Sequence, residues 1–269
     1  MELTKRMLAV TFVLPLLIAT ASSQSPYAFN WKRETAITAL GISAWGGSLP
    51  LGQSVPVFTR EEVLGLDRDQ VNGFDRIATY QYSTGAQEAS DLLRWTSRLM
   101  PVVLLADRNM RGDAAVLAML AAQTMVVNNG ITSLTKSGFG RTRPYVYNEL
   151  VSVDDKLTPG AKRSFISGHT SNTAAMSFFT AKVFADYHPD SKWRPFVWAA
   201  AAVLPAATGY MRVKAGKHYP TDVLAGYAVG ALSGYLVPQL HKVVRNRPDR
   251  RKDLDLQMGI TGASLRYQF

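Results

Sequence analysis

His169 and His218, two of four histidines in the chain, lie in short segments crowded with groups suited to phosphate chemistry. A third such segment, Lys136-Ser-Gly-Phe-Gly-Arg-Thr-Arg143-Pro144, sets two cations around a glycine-bearing loop. Arg143 can present a planar fork to two phosphate oxygens and Lys136 a point charge, while the glycines let backbone approach the anion. Ser164-Phe-Ile-Ser167-Gly168-His169-Thr170 opens an apolar stretch that reads as a helix, so Ser167 or a neighbour is an N-cap. Free N–H groups at that helix start and the Ser167 hydroxyl suit a phosphate oxygen, and His169 beside them suits a general acid. In Arg212-Val-Lys-Ala-Gly-Lys-His218-Tyr-Pro-Thr-Asp222, His218 and Asp222 stand four apart, on one face of a helix start. A carboxylate accepting from one ring nitrogen fixes the tautomer and leaves the other as nucleophile or base. Each segment alone has a plainer reading: a solvated basic loop, a capping serine beside an exposed histidine, an aspartate complementing a helix dipole. Their joint occurrence points to a phosphate site.

Such groups need rigid elements to hold them. Apolar stretches rich in Ala, Leu and Met recur at about Thr35–Leu49, Asp91–Ala106, Asp113–Leu134, Ser171–Tyr187, Phe196–Tyr210 and Asp222–Leu240, each bounded by Gly, Pro or charge. Propensity and pattern agree on an all-α bundle of roughly six helices, with the site at one end. Gly226, Gly230 and Gly234 recur every four residues, a seam for close helix packing that is common in membrane bundles. Strand signals come only at the end, where Leu254–Ile260 and Ser264–Phe269 read as a short β-hairpin or a frayed tail.

The 269 residues carry 30 Lys+Arg against 20 Asp+Glu, a formal charge of +10 that favours anionic partners. The absence of cysteine excludes disulfides, zinc-thiolate and iron–sulfur sites and any thiol nucleophile. Lys5 and Arg6 precede an apolar run, Met7–Ala19, that ends in Ala19-Thr20-Ala21, the order of a secretory signal peptide cleaved after Ala21; the alternative is an uncleaved anchor. The expected organisation is therefore a signal peptide at 1–21, one helical domain at 22–250 and a tail at 251–269. Export argues against a nucleic-acid partner, and neither zinc-finger spacing nor an aromatic-and-basic signature revives one. The location is the cell envelope, either the inner membrane with the site facing the periplasm or the soluble periplasm. Spanning helices need about 20 apolar residues, and Gln123, Asn128 and Asn129 interrupt one stretch while mean hydropathy is only −0.03. Arg108, Arg111, Lys192, Arg194 and the run Lys242–Lys252 all fall at one end of a spanning bundle, which makes that end cytoplasmic. With a cleaved leader and a spanning Thr35–Leu49, however, an extra crossing is needed before Asp91. Either Thr35–Leu49 lies in the interface or the bundle is soluble.

In order and internal spacing, the three segments resemble the signature of the type 2 phosphatidic acid phosphatase superfamily, K-x6-R-P, P-S-G-H and S-R-x5-H-x3-D. Lys136, Arg143 and Pro144 match the first part, Ser167, Gly168 and His169 the second, Arg212, His218 and Asp222 the third. The resemblance implies a phosphohydrolase without metal or cofactor, in which His218 attacks phosphorus to form a phosphohistidine, Asp222 orients it and His169 protonates the leaving group. It assigns Lys136, Arg143, Ser167, the Gly168 N–H and Arg212 to the phosphoryl oxygens. Ile166 replaces the signature proline and Met211 its serine. The lost hydroxyl is worth about 0.5–1.5 kcal/mol if it bonded phosphate, so activity is still expected. Arg141, Lys162, Arg163, Lys214 and Lys217 are left as field or headgroup contacts, or solvated surface. The substrate is an anionic phosphate, chiefly a lipid phosphate or isoprenyl diphosphate, at a membrane. The rival readings are a soluble broad-specificity acid phosphatase, a vanadium-dependent haloperoxidase and a non-catalytic binder of lipid headgroups.

Overall fold

A computed structural model describes residues 25–243, 254–259 and 262–267. The long helices are α1 (Trp31–Gln53), α2 (Thr84–Ser97), α3 (Ala114–Phe139), α4 (Gly168–Tyr187), α5 (Arg194–Lys214) and α6 (Pro220–His241). The fold is all-α, and its helix limits follow local chemistry. The Asn30 side chain caps α1 by accepting from Lys32 and Arg33 N–H, and Ser83 caps α2 by accepting from Ala86. Those caps start both helices earlier than the apolar pattern alone suggests. Pro101 marks the break after α2, beyond which Met100–Val103 and Leu104–Ala106 continue as short turns. Gly140, in the left-handed region at φ 57°, ends α3.

Directions follow from side-chain contacts. Along α1 and α3, Glu34 meets Gln123, Gly41 meets Gly130 and Gly52 meets Ser137, so the two run parallel. Asp91 meets His169, Met100 meets Ser177 and Asp107 meets His188, so the chain from α2 to Asp107 runs alongside α4 in the same direction. It thus returns to the far end before α3 begins. Ser25–Ala28 lies at that far end too, where Tyr27 forms an isolated bridge with Lys242 and Arg33 donates to the Leu240 carbonyl.

The glycine seam sets α6 on α4. A Cβ at Gly226 would stand 2.5 Å from the Ser167 carbonyl oxygen, at Gly230 2.1 Å from that of Ser171, and at Gly234 2.3 Å from that of Ala175. Only hydrogen fits at these points. Between the helices, Asn128 donates to Asn172 at 2.7 Å, and Gln123 donates to Glu34 and Thr38. Gln123 and Asn128, which interrupt the apolar pattern of α3, are therefore satisfied inside the bundle. Leu40, Trp45, Val203, Leu224 and Leu240 instead face outward, more than half exposed. Among the described residues, three helical segments are long and apolar enough to cross a membrane, within Ala114–Tyr147, Arg194–Lys214 and Pro220–His241. In the tail, Leu254–Gly259 pairs antiparallel with Gly262–Tyr267. The leader at 1–21 lies outside the described residues.

The seam makes a stability prediction. Gly230→Ala forces a methyl onto backbone and is expected to cost about 1–3 kcal/mol, whereas Gly46→Ala, with nothing within 4 Å, should be neutral or stabilising by about 0.5–1 kcal/mol. Thermal unfolding of the two variants in one detergent reads the difference, and equal midpoints would show that the seam tolerates a side chain.

Candidate active site

The site lies where α3 ends, α4 and α6 begin, and α5 ends. Lys136 occupies the last turn of α3. After Gly140 the chain is pinned by backbone bonds, Arg143 N–H to the Ala161 carbonyl at 2.7 Å and Ser164 N–H to that of Arg141 at 2.9 Å. Tyr145 N–H donates to the Gly216 carbonyl at 2.8 Å, tying this loop to the α5–α6 turn. Gly216 has φ 66°, and its absent Cβ would fall 2.2 Å from the Gln81 oxygen, so this turn requires glycine. Ser167 N–H donates to the Asp222 carbonyl at 2.9 Å, joining the starts of α4 and α6.

His218 is 1% exposed, with its Nδ1 3.5 Å from Asp222 Oδ2. That is an ionic contact, and Nδ1 has no formed hydrogen bond among the described residues. Asp222 is occupied elsewhere: Oδ2 accepts from Ser164 Oγ at 2.5 Å and from Tyr219 N–H at 3.0 Å, and Oδ1 from Arg141 at 2.5 Å. The capping and the His-facing readings of Asp222 therefore hold together. Arg141, set aside in the sequence as a field contact or surface, bridges Asp222 and the buried Asp75, the latter at 2.7 Å. Asp75 also accepts from Thr221 N–H and Oγ1 and from Asn72, so a short turn far upstream locks the start of α6. Arg163 donates to Ser137 Oγ, and Lys162 pairs with Glu62 at 3.5 Å.

Lys136 Nζ and Arg143 Nη2 both donate to the Arg163 carbonyl, each at 3.3 Å. Among the described residues neither has a carboxylate within 4.0 Å. Arg212 is buried, donates to Ser90 Oγ at 3.2 Å and lies 3.7 Å from Asp91. Gly168 packs by its α-carbon against Lys136, whose Cε would be 3.5 Å from a Cβ there. Ser167 holds the N-cap position without capping, since its buried hydroxyl is paired with Thr170 Oγ1 at 2.9 Å. The buried Ile166 follows a cis peptide bond at Phe165–Ile166.

His169 lies across from α2, its Nε2 2.5 Å from Asp91 Oδ1 and 3.3 Å from Arg94 Nη1. Ser90, Asp91 and Arg94 are site residues that sequence reading missed, because i, i+1 and i+4 positions on an amphipathic helix read as a solvated face. Burial first, then the Arg212, Arg94, Arg143 and Lys136 charges, holds His169 at about 2. His218 is pushed well below the ordinary histidine value, again by burial first and then by Lys136, Arg143 and Arg212. Both imidazoles are thus neutral in the free site, within reach of three cations. Buried cations without a carboxylate partner are costly, so such a pocket favours an anion.

A helical bundle that gathers buried cations between two histidines is an arrangement suited to an anion such as phosphate. Comparison with known proteins points to the same chemistry: residues 115–245 match the profile of the PAP2 superfamily. The chain is 30% identical over 118 residues to a lipid A 4'-phosphatase of Porphyromonas gingivalis, covering 43% of this chain and 47% of that protein. It is 37% identical over 75 residues to phosphatidylglycerophosphatase B of Bacillus subtilis, covering 28% and 37%. It is 36% identical over 110 residues to a lipid A 1-phosphatase of Rhizobium johnstonii, covering 40% and 41%. The chain spans less than half the length of these relatives. A solved transmembrane PAP2-type phosphatidylglycerolphosphate phosphatase from Bacillus subtilis superposes with a TM-score of 0.45 at 19% identity, over 89% of this chain and 98% of that one.

Filling the pocket with an anion offsets the cations that depress His169. Orthophosphate is therefore expected to raise the His169 pKa from about 2 toward the ordinary value of about 6.5, read by NMR titration of labelled histidines. An unmoved His169 would mean that phosphate sits elsewhere.

Proposed function

We propose that this chain is a membrane-embedded lipid phosphatase that works through a phosphohistidine. The observation that carries the reading is the uncompensated charge of Lys136 and Arg143, with Arg212, around the neutral His218. A phosphoryl group supplies the missing anion, and the three cations then stabilise the charge that spreads over its equatorial oxygens in the transition state. With Nδ1 facing Asp222, His218 presents Nε2 to phosphorus. Its lone pair forms the P–N bond as the P–O bond to the leaving group breaks, and His169, protonated once substrate has filled the pocket, gives its proton to that oxygen. Asp222 balances the charge on the phosphorylated imidazole. Water then attacks phosphorus and passes its proton to His169, and the P–N electron pair returns to His218 as inorganic phosphate leaves. Ser167 and the Gly168 N–H complete the phosphoryl cradle.

The outward apolar faces of α5 and α6 and the inward Asn, Gln and Thr are the arrangement of a bundle whose solvent is lipid. Lipid phosphatases among the relatives agree with a lipid substrate. Arg108, Arg111, Lys192, Arg194 and Lys242 lie at the end away from the site, Lys242 paired with Asp186, while the site-end cations Lys136, Arg143 and Arg212 have a ligand role and Arg141 and Lys162 are paired with carboxylates. The positive-inside rule then favours a site on the periplasmic side. Ser25–Ala28 stands at the opposite, cytoplasmic end beside Lys242. Cleavage after Ala21 on export and a periplasmic site would put Ser25 on different sides of the membrane. The cations favour the periplasmic site, and the extra crossing that the sequence demanded disappears with it.

His218→Ala is expected to lower phosphate release from lipid phosphates in EDTA by at least about 10³-fold, the scale of removing a nucleophile that acts within a unit, while orthophosphate still binds. Full activity in that variant would sink the phosphohistidine reading. Asp91, 2.5 Å from His169, favours its protonated form as an adjacent anion does. Its removal lowers the His169 pKa in the complex, so in Asp91→Asn the fall of kcat at high pH should come about one pH unit or more earlier. Asp91→Glu should restore the profile, and an unshifted limb would leave Asp91 a purely structural role.

A further inference from the structure

Arg94 is the cation of this site that the phosphoryl cradle does not use. It projects from α2 onto the leaving-group side, its Nη1 3.3 Å from His169 Nε2. Asp91 Oδ1 lies 2.5 Å from the same nitrogen, a separation that requires a proton between them, so Nε2–H donates to Asp91. A nitrogen that donates its proton offers no lone pair to a guanidinium, which has only donors. The contact between Arg94 and His169 is therefore not a hydrogen bond but two donors side by side. The Arg94 Nε is buried and also without an acceptor. Its guanidinium carbon otherwise lies 5.6 Å from the Trp95 ring, and no carboxylate is within 4.0 Å of it among the described residues. A positive charge held beside the acid, with no partner of its own, has one chemical use there. It complements negative charge on the departing group.

Resting on the phosphatase reading above, we propose that Arg94 is a specificity-determining residue that binds an anionic oxygen carried by the leaving group itself, so that the site favours a lipid diphosphate over the corresponding lipid monophosphate. In such a substrate His218 Nε2 attacks the terminal phosphorus, the bond from that phosphorus to the bridging oxygen breaks, and the electron pair stays on the bridging oxygen. That oxygen takes the proton of His169. The non-bridging oxygens of the departing lipid monophosphate are bonded to the same phosphorus as the bridging oxygen, which sets their negative charge against Arg94. An alcohol leaving group presents no charge there and leaves Arg94 unanswered. The outer side of α2 suits this delivery, since Leu92, Trp95 and Leu99 are exposed on it and the Arg98 guanidinium lies 4.3 Å from the Trp95 ring centre. Aromatic and cationic groups of this kind settle at the level of lipid headgroups.

The test compares two pairs of substrates in mixed micelles with the full chain. Farnesyl diphosphate against farnesyl monophosphate places the second anion on the anhydride. Phosphatidylglycerophosphate against phosphatidate places it on a phosphodiester further along. The wild type should prefer the diphosphate at least tenfold in kcat/KM, and Arg94→Gln should lower that ratio at least tenfold, with Arg94→Lys in between. A ratio that collapses only in the glycerophosphate pair overturns the diphosphate preference and assigns Arg94 to a phosphodiester instead. Equal slowing of both members of each pair, with ratios unchanged, overturns the assignment of Arg94 while the phosphatase reading stands. Turnover of none of the four by the wild type overturns the phosphatase reading itself. Arg94→Lys, which keeps charge and stem, guards against a glutamine variant that fails to fold.

Discussion

The close approach of α6 to α4 is the constraint on which the rest depends. Carbonyl oxygens of Ser167, Ser171 and Ala175 fill the places where side chains of Gly226, Gly230 and Gly234 would begin. At that separation the two helix starts share a backbone bond, from Ser167 N–H to the Asp222 carbonyl. His218 thereby enters the cationic pocket with its Nδ1 toward Asp222, and His169 stands on the far side of it. A wider interface would separate the proposed nucleophile from the proposed acid. Gly209 extends the same logic to α5, since a Cβ there would stand 2.3 Å from Val223 Cγ1. Arg212, one turn on, is brought into the pocket by that contact.

Packing alone does not hold so many like charges together. Asp222 cannot serve His218 if it is free to turn toward Lys136 or Arg143, and the network that stops it is Asp75–Arg141–Asp222 with Ser164 and Tyr219 N–H. Every oxygen of these buried carboxylates is assigned, which fixes their positions at the cost of ordering a long loop. The cradle cations receive no such compensation. Lys136 and Arg143 are given only a backbone carbonyl, a partner too weak to neutralise them but sufficient to aim them. The contrast between a fully paired scaffold and an underpaired pocket is what turns a charge cluster into an anion site.

Much of this was legible in the sequence because it is written in residues of rare type at short spacing. Lys136, Arg143, Ser167, His169, Arg212, His218 and Asp222 come together in the structure as their spacing implied, each at a helix end. The all-α class followed from apolar periodicity. What stayed hidden depended on distance along the chain. Asp75 reaches Arg141 across 66 residues and Asp91 reaches His169 across 78, and neither has a local pattern that marks it. Arg141 looked like surface because its partners were invisible. Gln123 and Asn128 looked like interruptions of a spanning helix because a sequence does not show that Glu34, Thr38, Ser171 and Asn172 face them. The start of α2 was misplaced because a capping serine outweighs the weak apolar signal of Gln87–Ser90.

The site is built from two sets of helices held in different ways. The phosphoryl side is formed by α3, α4, α5 and α6, locked by the glycine seam and by buried pairs. Across from His169 lies α2, a helix that ends at Ser97 and exposes Leu92 and Trp95 on its other face. Its polar hold on the site is three contacts, Ser90 and Asp91 to Arg212 and Asp91 to His169. A change at Arg94 therefore alters what His169 faces, a change at Ser90 or Asp91 reaches Arg212 as well, and a change in the seam reaches both helix starts. Both described flanks of the bundle, at Tyr27 and Lys242, meet at the far end, so the exposed side of α2 near the site is left clear of them.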